Sequence, residues 1–188
     1  MSPLTKGTYM YWKLSARLIL ANSLLFLTLL TASHEISIDG RLDDASWKQA
    51  VEYTKYYESL PFTLDEPKDF QKVLILEDEK GIYLGFVNEQ AKDTVRANKH
   101  ERDDEMANTD KAGLAIDFDG DGLAAYSFTV SASGSISDGI YRNENEVNYD
   151  WDADWKSAVF IDENFWYIEM FIPWTIAPVS YTHLRAHE

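Results

Sequence analysis

The run Phe165-Trp166-Tyr167-Ile168-Glu169-Met170-Phe171-Ile172 decides the fold. In an extended chain Trp166, Ile168, Met170 and Ile172 share one face, and Phe165, Tyr167 and Phe171 share the other. Alternation of this kind marks a strand with a face on a core. The same period of two returns in Ile82, Leu84 and Phe86, in Leu114, Ile116 and Phe118, and in Tyr126, Phe128 and Val130. Turn signals separate the runs: Glu79-Lys80-Gly81, Asp119-Gly120-Asp121-Gly122, Ser133-Gly134-Ser135 and Asp162-Glu163-Asn164. That spacing, without a long amphipathic helix, predicts an all-β, antiparallel β-sandwich. Helix is expected only as a short turn near Asp43–Ala50 and at Asp104–Ala107. The segment Ala91–Lys111 is long, charged and weakly patterned, which on a rigid sandwich makes it a candidate binding loop or a solvated one.

The 188 residues, 45% of them hydrophobic and 14% aromatic, suffice for a packed domain and are unlike a disordered composition. With no cysteine, disulfides and thiolate metal sites are excluded. Charge is uneven. Lys6, Lys13 and Arg17 lie in the first 33 residues, which hold none of the 32 acidic residues. The remainder is therefore strongly acidic and repels phosphate backbones, so nucleic acid is a poor partner.

The three basic residues precede an apolar stretch, Leu18–Leu30, and the small residues Thr31-Ala32-Ser33 follow it. This order predicts a signal peptide over 1–33, cleaved after Ser33, and an exported chain: periplasmic, outer-membrane-associated or extracellular. The far end changes character at Ser180–Glu188, which resembles translated adapter sequence closing a truncated reading frame. Residues 177–188 are accordingly set apart as a non-native tail, including the pair His183 and His187. The sandwich is expected over 34–176.

Ile38-Asp39-Gly40-Arg41-Leu42-Asp43-Asp44-Ala45-Ser46-Trp47 is the most motif-like stretch. Asp39-Gly40 makes a tight turn, because glycine tolerates positive φ. Asp43 is then placed to cap one helical turn that carries Trp47 inward to the core. The stretch resembles the opening signature of family 9 carbohydrate-binding domains. Further landmarks follow in the same order: Lys72–Glu77, Gly81–Asn88, Asp110–Asp117, Ala125–Asp138, Asp150–Trp155 and Glu169–Trp174. The closing combination is similar to the N-terminal domain of long bacterial outer-membrane proteins, where a much larger C-terminal region follows. The resemblance covers Ile36–Ile176 and implies a jelly-roll-like sandwich that binds polysaccharide or oligosaccharide, accompanies glycoside hydrolases and is not itself an enzyme. At Met106-Ala107-Asn108 the chain lacks the stacking tryptophan of sugar-binding relatives. The alternative is a non-catalytic interaction or assembly domain of an outer-membrane protein, without a sugar ligand.

Sugar recognition needs flat aromatic faces with acids and amides beside them. Tyr141, Asn143, Tyr149, Trp151 and Asp152 supply that mixture, and Trp155 is expected in the core. Arg96 and Asp110 are expected to assist. Hydrolysis would need two facing carboxylates. Asp103, Asp104 and Asp110, or Asp150, Asp152 and Asp154, offer such pairs only as any acid-rich chain does. No nucleophile elbow, phosphate loop or zinc pattern occurs. Asp117, Asp119 and Asp121, at alternate positions with Gly120 and Gly122 letting the chain fold back, are candidate ligands for a structural Ca2+, which prefers hard oxygens.

Overall fold

The computed structural model describes residues 35–58, 63–142 and 146–177. The expected signal peptide, Asn143 and the tail beyond residue 177 lie outside them.

Among the described residues nine strands follow in chain order: β1 (Val51–Tyr53), β2 (Gln71–Glu77), β3 (Gly81–Glu89), β4 (Lys111–Ile116), β5 (Ala124–Ser131), β6 (Ile136–Arg142), β7 (Glu146–Asn148), β8 (Lys156–Ile161) and β9 (Phe165–Pro173). They form two antiparallel sheets, one in the order β1-β2-β3-β9-β8 and one in the order β4-β5-β6-β7. Leu84 and Phe86 of β3, with Trp166, Ile168, Met170 and Ile172 of β9, meet Phe128 and Val130 of β5 in one buried cluster. The sheets therefore pack face to face, as the alternation requires. Trp155 joins this core just before β8.

The five-stranded sheet is covered on its second face as well. Leu74, Leu76 and Tyr83 pack there against Trp47, Ile36, Ile38 and Leu42 of the opening segment. At the centre of that layer is Glu169, which has no exposed surface. Its carboxylate accepts N–H bonds from Asp39 (2.9 Å), Gly40 (2.8 Å) and the Trp47 indole (2.9 Å). The opening signature is thus pinned to the last strand. Gly40 has φ +90°, and a Cβ on it would stand 2.7 Å from the backbone carbon of Val159, so both conformation and space require glycine.

Two local expectations change. The helical turn is a 3-10 helix, Ala45–Gln49, preceded by Asp44 rather than capped by Asp43. The Asp44 carboxylate makes no cap; it accepts the N–H of Ser37 at 2.8 Å. Asp104–Ala107 forms turns, and no helix or strand lies between Glu89 and Lys111.

Candidate functional site

The outer face of the four-stranded sheet follows from its register. Leu114, Phe128 and Asp138 stand opposite one another across β4, β5 and β6, and Phe128 is in the core. The neighbouring rows must then face outward. One row is Gly113, Thr129 and Ser137; the next is Ala115, Ser127 and Gly139. The third is Ala125, Tyr141 and Val147, the last from β7. Of these six small residues Gly113, Ala115, Ser127 and Thr129 keep exposed surface and pave β4 and β5, whereas Ser137, at 3% exposure, and Gly139 are buried.

Tall side chains bound this floor. Tyr149, just past β7, stands beside Gly139, where a Cβ would come within 2.8 Å of the Asn148 backbone oxygen and 3.2 Å of the Tyr149 ring. Burial pushes the Tyr149 phenol up, with the charge of Glu105 and the nearby Tyr141 adding to it. Lys111 stands at one end, its ammonium donating to the backbone oxygens of Asp104 (3.2 Å) and Glu105 (3.3 Å). Towards the other end Tyr141 opens onto a depression of about 290 Å³ shared with Ala115, Asp117, Gly122 and Leu123. A flat floor of small residues beside two tyrosine rings suits a planar, hydroxylated ligand, because rings stack on its apolar faces while hydroxyls meet its edges.

The other expected residues go elsewhere. Trp151 turns inward, its ring centroid 5.0 Å from that of Tyr126 and 5.9 Å from that of Phe128. Arg96 and Asp110 bind each other: Asp110 accepts the Arg96 backbone N–H (2.9 Å), its Nε (2.9 Å) and the Gln90 amide (2.9 Å). Burial acts to raise the Asp110 pKa, but these donors hold it below the usual carboxylate range. The pair lines a separate polar cleft of about 460 Å³ with Gln71, Asn88 and Thr109.

Asp152 belongs to a network that sequence reasoning missed. Arg102 Nε lies 3.0 Å from Asp138 Oδ1, 2.7 Å from Asp152 Oδ1 and 3.6 Å from Asp103 Oδ2. Asp138, with no exposed surface, also accepts the Ala153 N–H (2.8 Å) and the Trp155 indole (3.3 Å). Burial raises the pKa of Asp103, and the Asp138 charge adds to that, while the Asp138 N–H and Arg102 oppose it. One oxygen from each of Asp103, Asp138 and Asp152 lies within 4.8 Å of the others, so this triad could hold a metal ion. The visible signal was Asp138 itself, an acid at an inward position between Ile136 and Ile140.

Asp117, Asp119 and Asp121, the expected calcium ligands, lie in the turn between β4 and β5. Both Asp117 oxygens are taken by the backbone: Oδ1 by the N–H groups of Asp119 (3.1 Å) and Gly120 (2.8 Å), and Oδ2 by that of Gly122 (2.7 Å). These donors hold its carboxyl below the usual range, the Gly122 N–H most of all. Asp121 turns to the Leu123 N–H at 2.8 Å. Asp117 and Asp121 thus organise a turn through the backbone N–H groups that follow them.

No protein-family model matches the chain, and no curated protein matches it.

Proposed function

We propose that the chain is a non-catalytic polysaccharide-binding module that holds its ligand across the outer face of the four-stranded sheet. The observation that carries this reading is the exposed floor of Gly113, Ala115, Ser127 and Thr129 beside Tyr141 and Tyr149. An extended glycan chain presents alternating apolar ring faces and hydroxyl edges, and a pleated surface of hydroxyls next to aromatic rings answers both. The resemblance of Ile38–Trp47 and Asp150–Trp174 to family 9 carbohydrate-binding domains supports the same ligand class. It supports, equally, an accessory role beside a larger catalytic or outer-membrane region. The basic, apolar and small-residue order of 1–33 supports export.

Arg102 already supplies the cation that the Asp103, Asp138 and Asp152 triad needs. We read that cluster as a structural brace, with any calcium bound there rather than at Asp117–Asp121. Titration of soluble polysaccharides in affinity electrophoresis tests the binding face. Tyr149→Ala is expected to remove about 2 kcal/mol of affinity, as loss of an anchoring aromatic does. Retention of full affinity by a Tyr141→Ala, Tyr149→Ala double variant would exclude this face.

A further inference from the structure

One row inside the sandwich breaks the apolar order. On the inner face of the five-stranded sheet Ile75, Leu84 and Met170 stand opposite one another across β2, β3 and β9, and Val73, Phe86 and Ile168 form the next row. The row after that, at the end of the sandwich, is Gln71, Asn88 and Trp166. Asn88 is 8% exposed and Trp166 4%. A carboxamide placed there gives up its water and needs partners instead. The protein supplies few. One Asn88 N–H reaches the Trp166 backbone oxygen at 3.4 Å. Among the described residues the Asn88 side-chain oxygen accepts no bond, the Trp166 indole N–H donates none, and the Gln71 carboxamide makes none.

All three residues line the polar cleft of about 460 Å³ that Arg96 and Asp110 bound from the loop before β4. Neither the Asn88 oxygen nor the indole N–H is sealed in, because the one fully enclosed side-chain polar atom without a partner among the described residues is His100 Nε2. The charged groups of the lining, by contrast, are mostly engaged. Arg96 is held by Asp110 at 2.9 Å, Lys111 ends on the backbone oxygens of Asp104 and Glu105, and Glu89 accepts the Phe70 N–H at 2.9 Å. Exposed Asp69 is the one charged lining group left without a partner. The cleft therefore offers an indole donor and amide groups that both donate and accept.

We infer that this cleft binds a neutral, polyhydroxylated small molecule, a monosaccharide or sugar alcohol, whose neighbouring hydroxyls pair with the Asn88 and Gln71 carboxamides and the Trp166 indole. A hydroxyl donates one bond and accepts others, which is what a mixture of unfilled amide oxygens and N–H groups requires. An apolar ligand would leave those groups unpaired at a cost. An anion would meet Asp69 and no free cation. A cation would find a single exposed carboxylate in water and leave the indole and amide N–H groups unused. The volume of about 460 Å³ lies within the range of small-molecule sites, about 300–1,000 Å³. Gln71, Asn88 and Trp166 face the inside of the sandwich, whereas the polysaccharide face looks away from it, so either site stands or falls without the other.

Titration of the intact chain, followed by nitrogen–proton correlation NMR, tests this with neutral hexoses, pentoses and hexitols, and with glucuronate and glucosamine as charged controls. The Trp166 indole resonance, assigned from its loss in Trp166→Phe, should shift and saturate with at least one neutral compound. The hexose and hexitol arms tell a ring from an open chain. Asn88→Leu completes the apolar row with a side chain of similar size, so Tm should hold or rise while affinity falls about tenfold or more. Gln71→Ala, at a half-buried position, should also weaken binding, and it carries the test if Asn88→Leu folds poorly. Ser127→Arg, on the outer face, should leave this titration unchanged. No saturable Trp166 shift with any neutral compound would overturn the inference by leaving the cleft to water. So would tighter binding of a charged control, or affinity unmoved in both Asn88→Leu and Gln71→Ala. Loss of the shift in Ser127→Arg would overturn it as well, by placing the sugar on the outer face.

Discussion

Glu169 is the residue on which the opening signature depends, because three N–H groups from the segment Asp39–Trp47 end on its buried carboxylate. Burial pushes its pKa up, and the three donors only partly offset that. A group whose pKa is raised on folding favours the folded state while it is protonated. Its contribution is full below the ordinary value of 4.5 and is lost as pH rises through the raised one. Glu169→Gln, which cannot ionise, should cost about 1–3 kcal/mol near neutral pH by misplacing one donor among three. The wild type's advantage over that variant should be larger at about pH 4 than at about pH 7. Urea midpoints at both values check this, and a gap that narrows towards acid would contradict it. Trp151 makes the complementary case. Its ring packs on Tyr126 and Phe128, so Trp151→Ala should cost about 3 kcal/mol of stability, read as a lowered urea midpoint. Polysaccharide affinity measured on the folded fraction should barely move.

At the scale of elements, the Arg102 brace joins the loop before β4 to β6 and to the stretch before β8. Arg102→Ala leaves the buried Asp138 charge without its partner and should cost about 3–5 kcal/mol. It also frees a space surrounded by three carboxylates. Millimolar calcium should then raise the Tm of the variant while leaving the wild type unchanged, and differential scanning fluorimetry with calcium or chelator separates the two. An equal calcium response in both proteins would mean that the brace was misread. The strands themselves were legible from residues such as Trp166, Ile168, Met170 and Ile172, because burial of alternate side chains is a local property with a period of two. Trp47 was legible as core because the turn at Asp39-Gly40 and the short helical turn after it carry the ring inward. The site was legible only in part. Tyr141 and Tyr149 fall where aromatic residues among polar ones suggested. The exposed floor beside them consists of glycine, alanine, serine and threonine on β4 and β5, which no local pattern marks and only register assembles. The inward packing of Trp151 was not legible, because alternation stops at Asn148 and the chain turns inward beyond it. The backbone bonds of the Asp117–Asp121 turn were not legible, because carboxylate spacing says nothing of where the backbone N–H groups will point.

The whole molecule is a sandwich whose two sheets are unequal. The four-stranded sheet offers an outer face of small and hydroxylated residues. The exposed floor positions Gly113, Ala115, Ser127 and Thr129 lie outside the buried clusters that hold the fold. The most direct test of the central claim fills the floor. Ser127 lies in its middle row on β5, between Ala115 and Gly139, and its side chain faces solvent. An arginine there would project across the site while leaving the core face of β5 untouched. Isothermal titration of a polysaccharide that binds the wild type should show no heat with Ser127→Arg, at an unchanged Tm. Wild-type affinity in Ser127→Arg would contradict the account, since no chain could then be lying across that sheet.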